Sequence, residues 1–353
     1  MTSEILSSIA VLSLFLITSA GCARRGAALS GEEGPQHEEV FTIYSPLSRN
    51  AEILRRTLPP LTFRRGQQAL ADRGQALAEQ SIDLAKETFA VYVPPGPPPK
   101  NGYGLLVFVS PDRGAIHPRR WRPPLDRHGL ILVSAAGSGN EVNILDRRLP
   151  LAILAWENVR ARYPIDPGRV FVGGLSGGSR VAQIAALAYP DVFRGALLNA
   201  GSEPISGERG VYLPPADLFE RFQRMRIVFV TGEEDTGNLE DDQISQASLK
   251  SWCVFNFEVQ IARRLGHRAL DPVSLDYALD ALEQASKVDE GELARCNARI
   301  QAELTSKLAD AKAALARGDR DGARSRMKDI DARYGGLAGP ALIELDEKLS
   351  ARK

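Results

Sequence analysis

Five short, uninterrupted apolar runs restrict the fold of this chain more than any other feature: residues 105–109 (LLVFV), 130–133 (LILV), 170–172 (VFV), 196–198 (ALL) and 227–230 (IVFV). An alternating pattern would leave one face for water. These runs are apolar on both faces, which suits strands inside a sheet covered by helices on each side. The intervals between them carry helical spacing. Leu149, Ile153, Trp156, Val159 and Tyr163 recur at three- and four-residue steps, and residues 179–189 are rich in alanine and stop at Pro190. Strands that alternate with helices imply an α/β architecture with a doubly wound, mostly parallel sheet, here assigned to residues 40–286.

The two ends of the chain read differently. Residues 287–353 lack strand-like runs and are dominated by Glu, Lys, Arg and Ala; one helix closes at Gly318-Asp319 and another covers residues 323–334. A C-terminal helical hairpin is expected, packed on the sheet domain and available as a protein contact surface. At the N-terminus, residues 5–17 form an apolar run of signal-peptide length, followed by Ser19-Ala20-Gly21-Cys22. Residues 1–21 are therefore read as an export signal and residues 22–39, rich in Gly and Glu, as a tether. Ala20-Gly21-Cys22 resembles the end of a bacterial lipobox, so Cys22 is expected to be lipidated, with the protein on the periplasmic face of the outer membrane. Cleavage after Ala20 and free secretion is the alternative. Beyond residue 20 no apolar run reaches the roughly 18 to 20 residues that span a bilayer, leaving the lipid anchor as the only expected membrane contact.

Cysteine usage and charge narrow the function classes. With Cys22 lipidated or removed, Cys253 and Cys296 remain as an even pair in a compartment that permits disulfides. They are expected to bond to each other rather than stand as independent buried thiols. Forty-four Lys and Arg balance 44 Asp and Glu, so no net field draws nucleic acid to the surface. No His and Cys cluster has metal-ligand spacing, and neither a metal nor a cofactor is expected.

The chemistry concentrates at residues 171–178 (FVGGLSGG), a β-run entering a tight glycine turn and then a helix. A strand–turn–helix of this kind presents its central residue, Ser176, above a sheet, with glycines on either side where backbones approach closely. Ser176 then starts a helix, and the Gly177 amide faces any oxyanion that forms there. A serine hydroxyl needs an imidazole base, and the base needs an acid to fix its tautomer. On such a sheet the chain order is serine, acid, histidine. His117 and His128 precede Ser176 and His37 falls in the tether, which leaves His267, behind the strand-like residues 257–261 (FEVQI). Asp235 follows the 227–230 run in Gly232-Glu233-Glu234-Asp235, with Glu233, Glu234, Asp241 and Asp242 as neighbouring competitors.

Residues 163–178 (YPIDPGRVFVGGLSGG), with Gly232 to Asp235 and Gly266-His267, resemble the polyhydroxybutyrate depolymerase and feruloyl-esterase-like group of α/β-hydrolases over roughly residues 85–286. The resemblance implies hydrolysis of a small-molecule or polymer carboxylic ester by a triad carried on Ser176, Asp235 and His267. It also implies a second oxyanion donor after the 105–109 strand, where that group has a His-Gly step. This chain reads Ser110-Pro111-Asp112 there; Pro111 has no amide hydrogen, so the expectation falls on Asp112. Two alternatives use the same residues otherwise: a serine peptidase of the prolyl-oligopeptidase type, and an inactive hydrolase fold serving as an envelope scaffold.

Overall fold

The computed structural model describes residues 37–207, 209–284 and 288–351. Residues 1–21, read as an export signal, and Cys22 lie outside the described residues. Eight strands form one sheet in the order β1-β2-β4-β3-β5-β6-β7-β8: β1 (His37–Glu39), β2 (Phe89–Tyr92), β3 (Tyr103–Val109), β4 (Leu130–Ala135), β5 (Ile165–Leu175), β6 (Gly195–Asn199), β7 (Arg226–Gly232) and β8 (Phe257–Ala262). β2 pairs antiparallel with both β1 and β4, and every neighbouring pair from β4 onward is parallel. This is the expected doubly wound α/β-hydrolase sheet. One boundary differs: β1 lies within the stretch read as a tether, because backbone pairing with β2 needs no apolar pattern of its own.

The continuous apolar runs divide by pleat. Leu105, Val107 and Val109 of β3 enter one core, while Leu106 and Phe108 enter the other, and β4 splits in the same way. Helices cover both. In chain order they are α1 (Asn50–Thr57), α2 (Pro60–Ala71), α3 (Arg122–His128), α4 (Leu149–Arg162), α5 (Gly177–Ala188), α6 (Ala216–Phe222), α7 (Thr236–Ser251), α8 (Pro272–Glu283), α9 (Glu290–Ala316), α10 (Arg320–Tyr334) and α11 (Gly339–Ala351). Leu125 of α3 and Leu275 and Leu279 of α8 seal one face; α4, α5 and α6 contribute to the other. α4 is buried on more than the stripe its spacing suggests, with Leu151, Ala152, Leu154 and Ala155 also inside, since it is covered in turn by the N-terminal segment.

The C-terminal hairpin is extended by a third helix, α11. Its Leu342, Leu345 and Leu349 join Ile300 and Leu304 of α9, Met327 and Tyr334 of α10, and Ile53 and Leu61 near the N-terminus in the larger core. Buried Asp331 of α10 accepts the Leu61 and Thr62 amides at 3.1 and 3.2 Å, capping α2 from the far end of the sequence. The expected Cys253–Cys296 disulfide is present, linking the end of α7 to α9. No helix among the described residues is long and apolar enough to cross a membrane.

His117, between β3 and α3, carries a pH dependence. Its ring lies 5.6 Å from that of Tyr92, and its Nε2 is buried with no hydrogen-bond partner. Burial, and then the Arg122 guanidinium, push its pKa from 6.5 down to about 4. Between those values the unfolded chain binds a proton that the folded protein refuses, so stability is expected to fall as the pH drops through that window. Denaturation midpoints across the pH range should show this slope, and His117→Phe should flatten it; an equally steep slope in the variant would assign it to other groups.

Candidate active site

Ser176 occupies the turn between β5 and α5 with φ 55° and ψ −122°, a strained backbone for a residue with a side chain. The turn survives because its neighbours are glycine. A Cβ on Gly174 would run into the Gly178 carbonyl, and one on Gly178 into the Val109 carbonyl of β3. The Ser176 amide is held by the Asn199 carbonyl of β6 at 2.9 Å. Strain, close packing and this hydrogen bond together fix the hydroxyl above the carboxyl edge of the sheet.

His267 stands on the loop after β8, and Asp235 on the loop after β7. His267 Nε2 is 2.8 Å from Ser176 Oγ, and its Nδ1 is 2.7 Å from Asp235 Oδ2. Residues 91 and 32 positions apart are thus brought into one hydrogen-bonded chain. An Nδ1–H that donates to the carboxylate leaves the Nε2 lone pair to accept from the serine hydroxyl. The imidazole is 47% exposed at its side chain while Asp235 is only 10% exposed, so substrate reaches the base and water is largely kept from the acid.

Asn238, on the first turn of α7, was not singled out from sequence. Its Nδ2 donates to both Asp235 oxygens at 3.0 Å, and Arg180 of α5 in turn donates to Asn238 Oδ1 at 3.4 Å. Only its position three residues beyond Asp235 hints at the role. Burial acts to raise the Asp235 carboxyl, but the hydrogen bonds from His267 and Asn238 and the nearby imidazole outweigh it and hold the group below the usual carboxylate range.

The competing acids have other work. Glu233 accepts the Arg264 amide, Asp241 pairs with Arg180 and Arg209, and Asp242 is buried beneath the Ser202 and Thr231 hydroxyls at 2.6 Å each. His128 faces Glu283 at 2.8 Å, near the amino end of β5. Among the described residues, no group of three or more His, Cys, Asp or Glu could hold a metal ion.

The two residues expected on the oxyanion side differ in how their amides are engaged. Gly177 is the first residue of α5, where an amide has no partner within the helix. The Asp112 amide, in contrast, donates to Ser110 Oγ at 3.1 Å and is consumed inside its own turn. An amide turned toward Ser110 in this way would have to exchange that hydrogen bond to serve an oxyanion as the second donor.

No protein-family model matches the chain. Over 51 residues it is 49% identical to poly(3-hydroxyalkanoate) depolymerase C of Paucimonas lemoignei, a match that covers 14% of this chain and 11% of that protein's length. Among solved structures, S-formylglutathione hydrolase from Staphylococcus aureus is similar over 56% of this chain and 92% of its own, at 11% identity and a TM-score of 0.43. Est1E from Butyrivibrio proteoclasticus matches over 57% and 95%, at 14% identity and a TM-score of 0.41. Acetyl xylan esterase from Aspergillus awamori matches over 56% and 94%, at 13% identity and a TM-score of 0.40. At these values the reading of the fold stands on the strand order rather than on the likenesses.

Proposed function

We propose that this chain of α/β-hydrolase fold is a serine hydrolase that cleaves carboxylic esters through an acyl-enzyme on Ser176. The observation that carries the reading is the continuous hydrogen-bonded path from Ser176 Oγ through His267 to Asp235. As Oγ attacks the ester carbonyl, His267 Nε2 takes its proton and Asp235 stabilises the imidazolium. The carbonyl electron pair moves onto oxygen, which faces the Gly177 amide. Collapse breaks the bond to the alkoxy group, His267 returns the proton to the departing alcohol, and the acyl group stays on Oγ. Water then attacks the acyl-enzyme by the same path and releases the acid.

The relative's name supplies a first substrate class, polyesters of 3-hydroxyalkanoates. The Cys253–Cys296 bond supports a site of action outside the reducing cytoplasm, and Cys22 is proposed as the lipid anchor. Purified protein should be assayed on short- and long-chain aryl esters, hydroxyalkanoate oligomers and peptide anilides, alongside labelling with a fluorophosphonate probe. Ester turnover with the label on the Ser176 peptide is expected. Anilide turnover exceeding ester turnover would favour the peptidase alternative, and neither turnover nor labelling would favour the scaffold.

A further inference from the structure

We infer that the side-chain amide of Asn140 donates the second hydrogen bond to the oxyanion. The inference rests on the reading of Ser176 as nucleophile and completes the site that the β3 loop leaves with one donor. Asn140 lies on the loop after β4, a different segment from the β3 loop that carries Asp112.

Its carboxamide fills the space a Cβ on Gly177 would take, with Oδ1 2.0 Å and Nδ2 3.0 Å from that position, so the side chain lies directly against the residue that carries the first donor, oxygen foremost in the uncharged site. A side chain at position 177 would push the Asn140 carboxamide aside, whereas no backbone atom stands in its way among those nearest. The carboxamide ends in a broad torsion, and a half turn exchanges its oxygen for its NH2 at little steric cost. A developing oxyanion beside the Gly177 amide selects the NH2, because an oxygen there would be repelled.

The loop that carries Asn140 is held against the β3 loop at several points. The Asn140 amide donates to the Pro111 carbonyl at 2.8 Å, and the Gly137 amide to the Arg113 carbonyl at 2.7 Å. Beneath both loops, the buried Arg148 guanidinium donates to the Ser138 carbonyl at 2.6 Å and the Ser110 carbonyl at 3.1 Å. Arg148 is a positioning residue here. By tying the two loops together, it lets a side chain from one do what a backbone amide of the other does not, and preorganised donors of this kind cost no reorganisation as charge forms.

The test compares parent, Ser176→Ala, Asn140→Ala, Asn140→Asp and Asn140→Gln on one aryl ester, with melting temperatures to check folding. Loss of a single side-chain donor should lower kcat about 10²- to 10³-fold while KM moves less than about threefold. Affinity for a trifluoromethyl ketone, which forms the tetrahedral adduct, should fall in step with kcat/KM, a change that mere repacking would not produce. Asn140→Asp, of the same shape but charged, should fall at least as far as Asn140→Ala. If the parent is active, Ser176→Ala is inactive and Asn140→Ala keeps kcat within about threefold, this assignment is wrong and the nucleophile stands. A parent with neither turnover nor fluorophosphonate labelling would remove both.

Discussion

Replacing Ser176 with alanine is expected to reduce ester turnover on the order of 10⁴- to 10⁶-fold and to abolish fluorophosphonate labelling, with the melting temperature held or raised. The fold should survive because alanine carries the same positive-φ backbone as serine and adds no strain. His267→Ala should cost nearly as much, since Oγ then has no acceptor for its proton. Asp235→Ala should cost less, because the imidazole survives as an acceptor for the Oγ proton and loses only the carboxylate that orients it and stabilises its charge. The double variant Ser176→Ala/His267→Ala should be no worse than the worse single one, because the groups act as one unit. Steady-state rates of the purified variants check this, and turnover by Ser176→Ala at the parent rate would make the β5–α5 turn structural.

Breaking the Cys253–Cys296 bond is expected to cost about 3 to 4 kcal/mol, the loop-closure entropy for two cysteines 43 residues apart. The loss should be global. Trp252, beside Cys253, packs edge-on against Phe219 of α6 and Tyr334 of α10, and α9 to α11 share one core with the sheet. A paired Cys253→Ser/Cys296→Ser variant should therefore unfold in a single transition at lower denaturant. Two alkylatable thiols in parent protein denatured without reductant would show that the bond does not form.

Much of this site is visible in the sequence for local reasons. Strands buried on both faces announce themselves as apolar runs, and the Gly174-Leu175-Ser176-Gly177-Gly178 turn is a local backbone demand. Ser176, Asp235 and His267 also keep a fixed order because each follows its own strand. The rest depends on contacts between distant segments. Whether the Asp112 amide is free turns on how one loop folds against Ser110, and Asn140 matters only through its position over Gly177. β1 is short and polar, so nothing in its composition separates it from a tether. The third helix of the tail does carry apolar spacing, Leu342, Leu345 and Leu349, but its face has meaning only once α2 and α9 are there to receive it.

The Asp331 cap on α2 also sets an order of events. Its hydrogen bond to Leu61 spans 270 residues, which at about 5 to 20 residues per second means about 15 to 50 seconds of synthesis separate the two partners. Until residue 331 has been made, the first turn of α2 has no carboxylate to receive its amides, and α2 has neither α10 nor α11 to pack against. The part of this core that is made first is thus the last to have all its partners present.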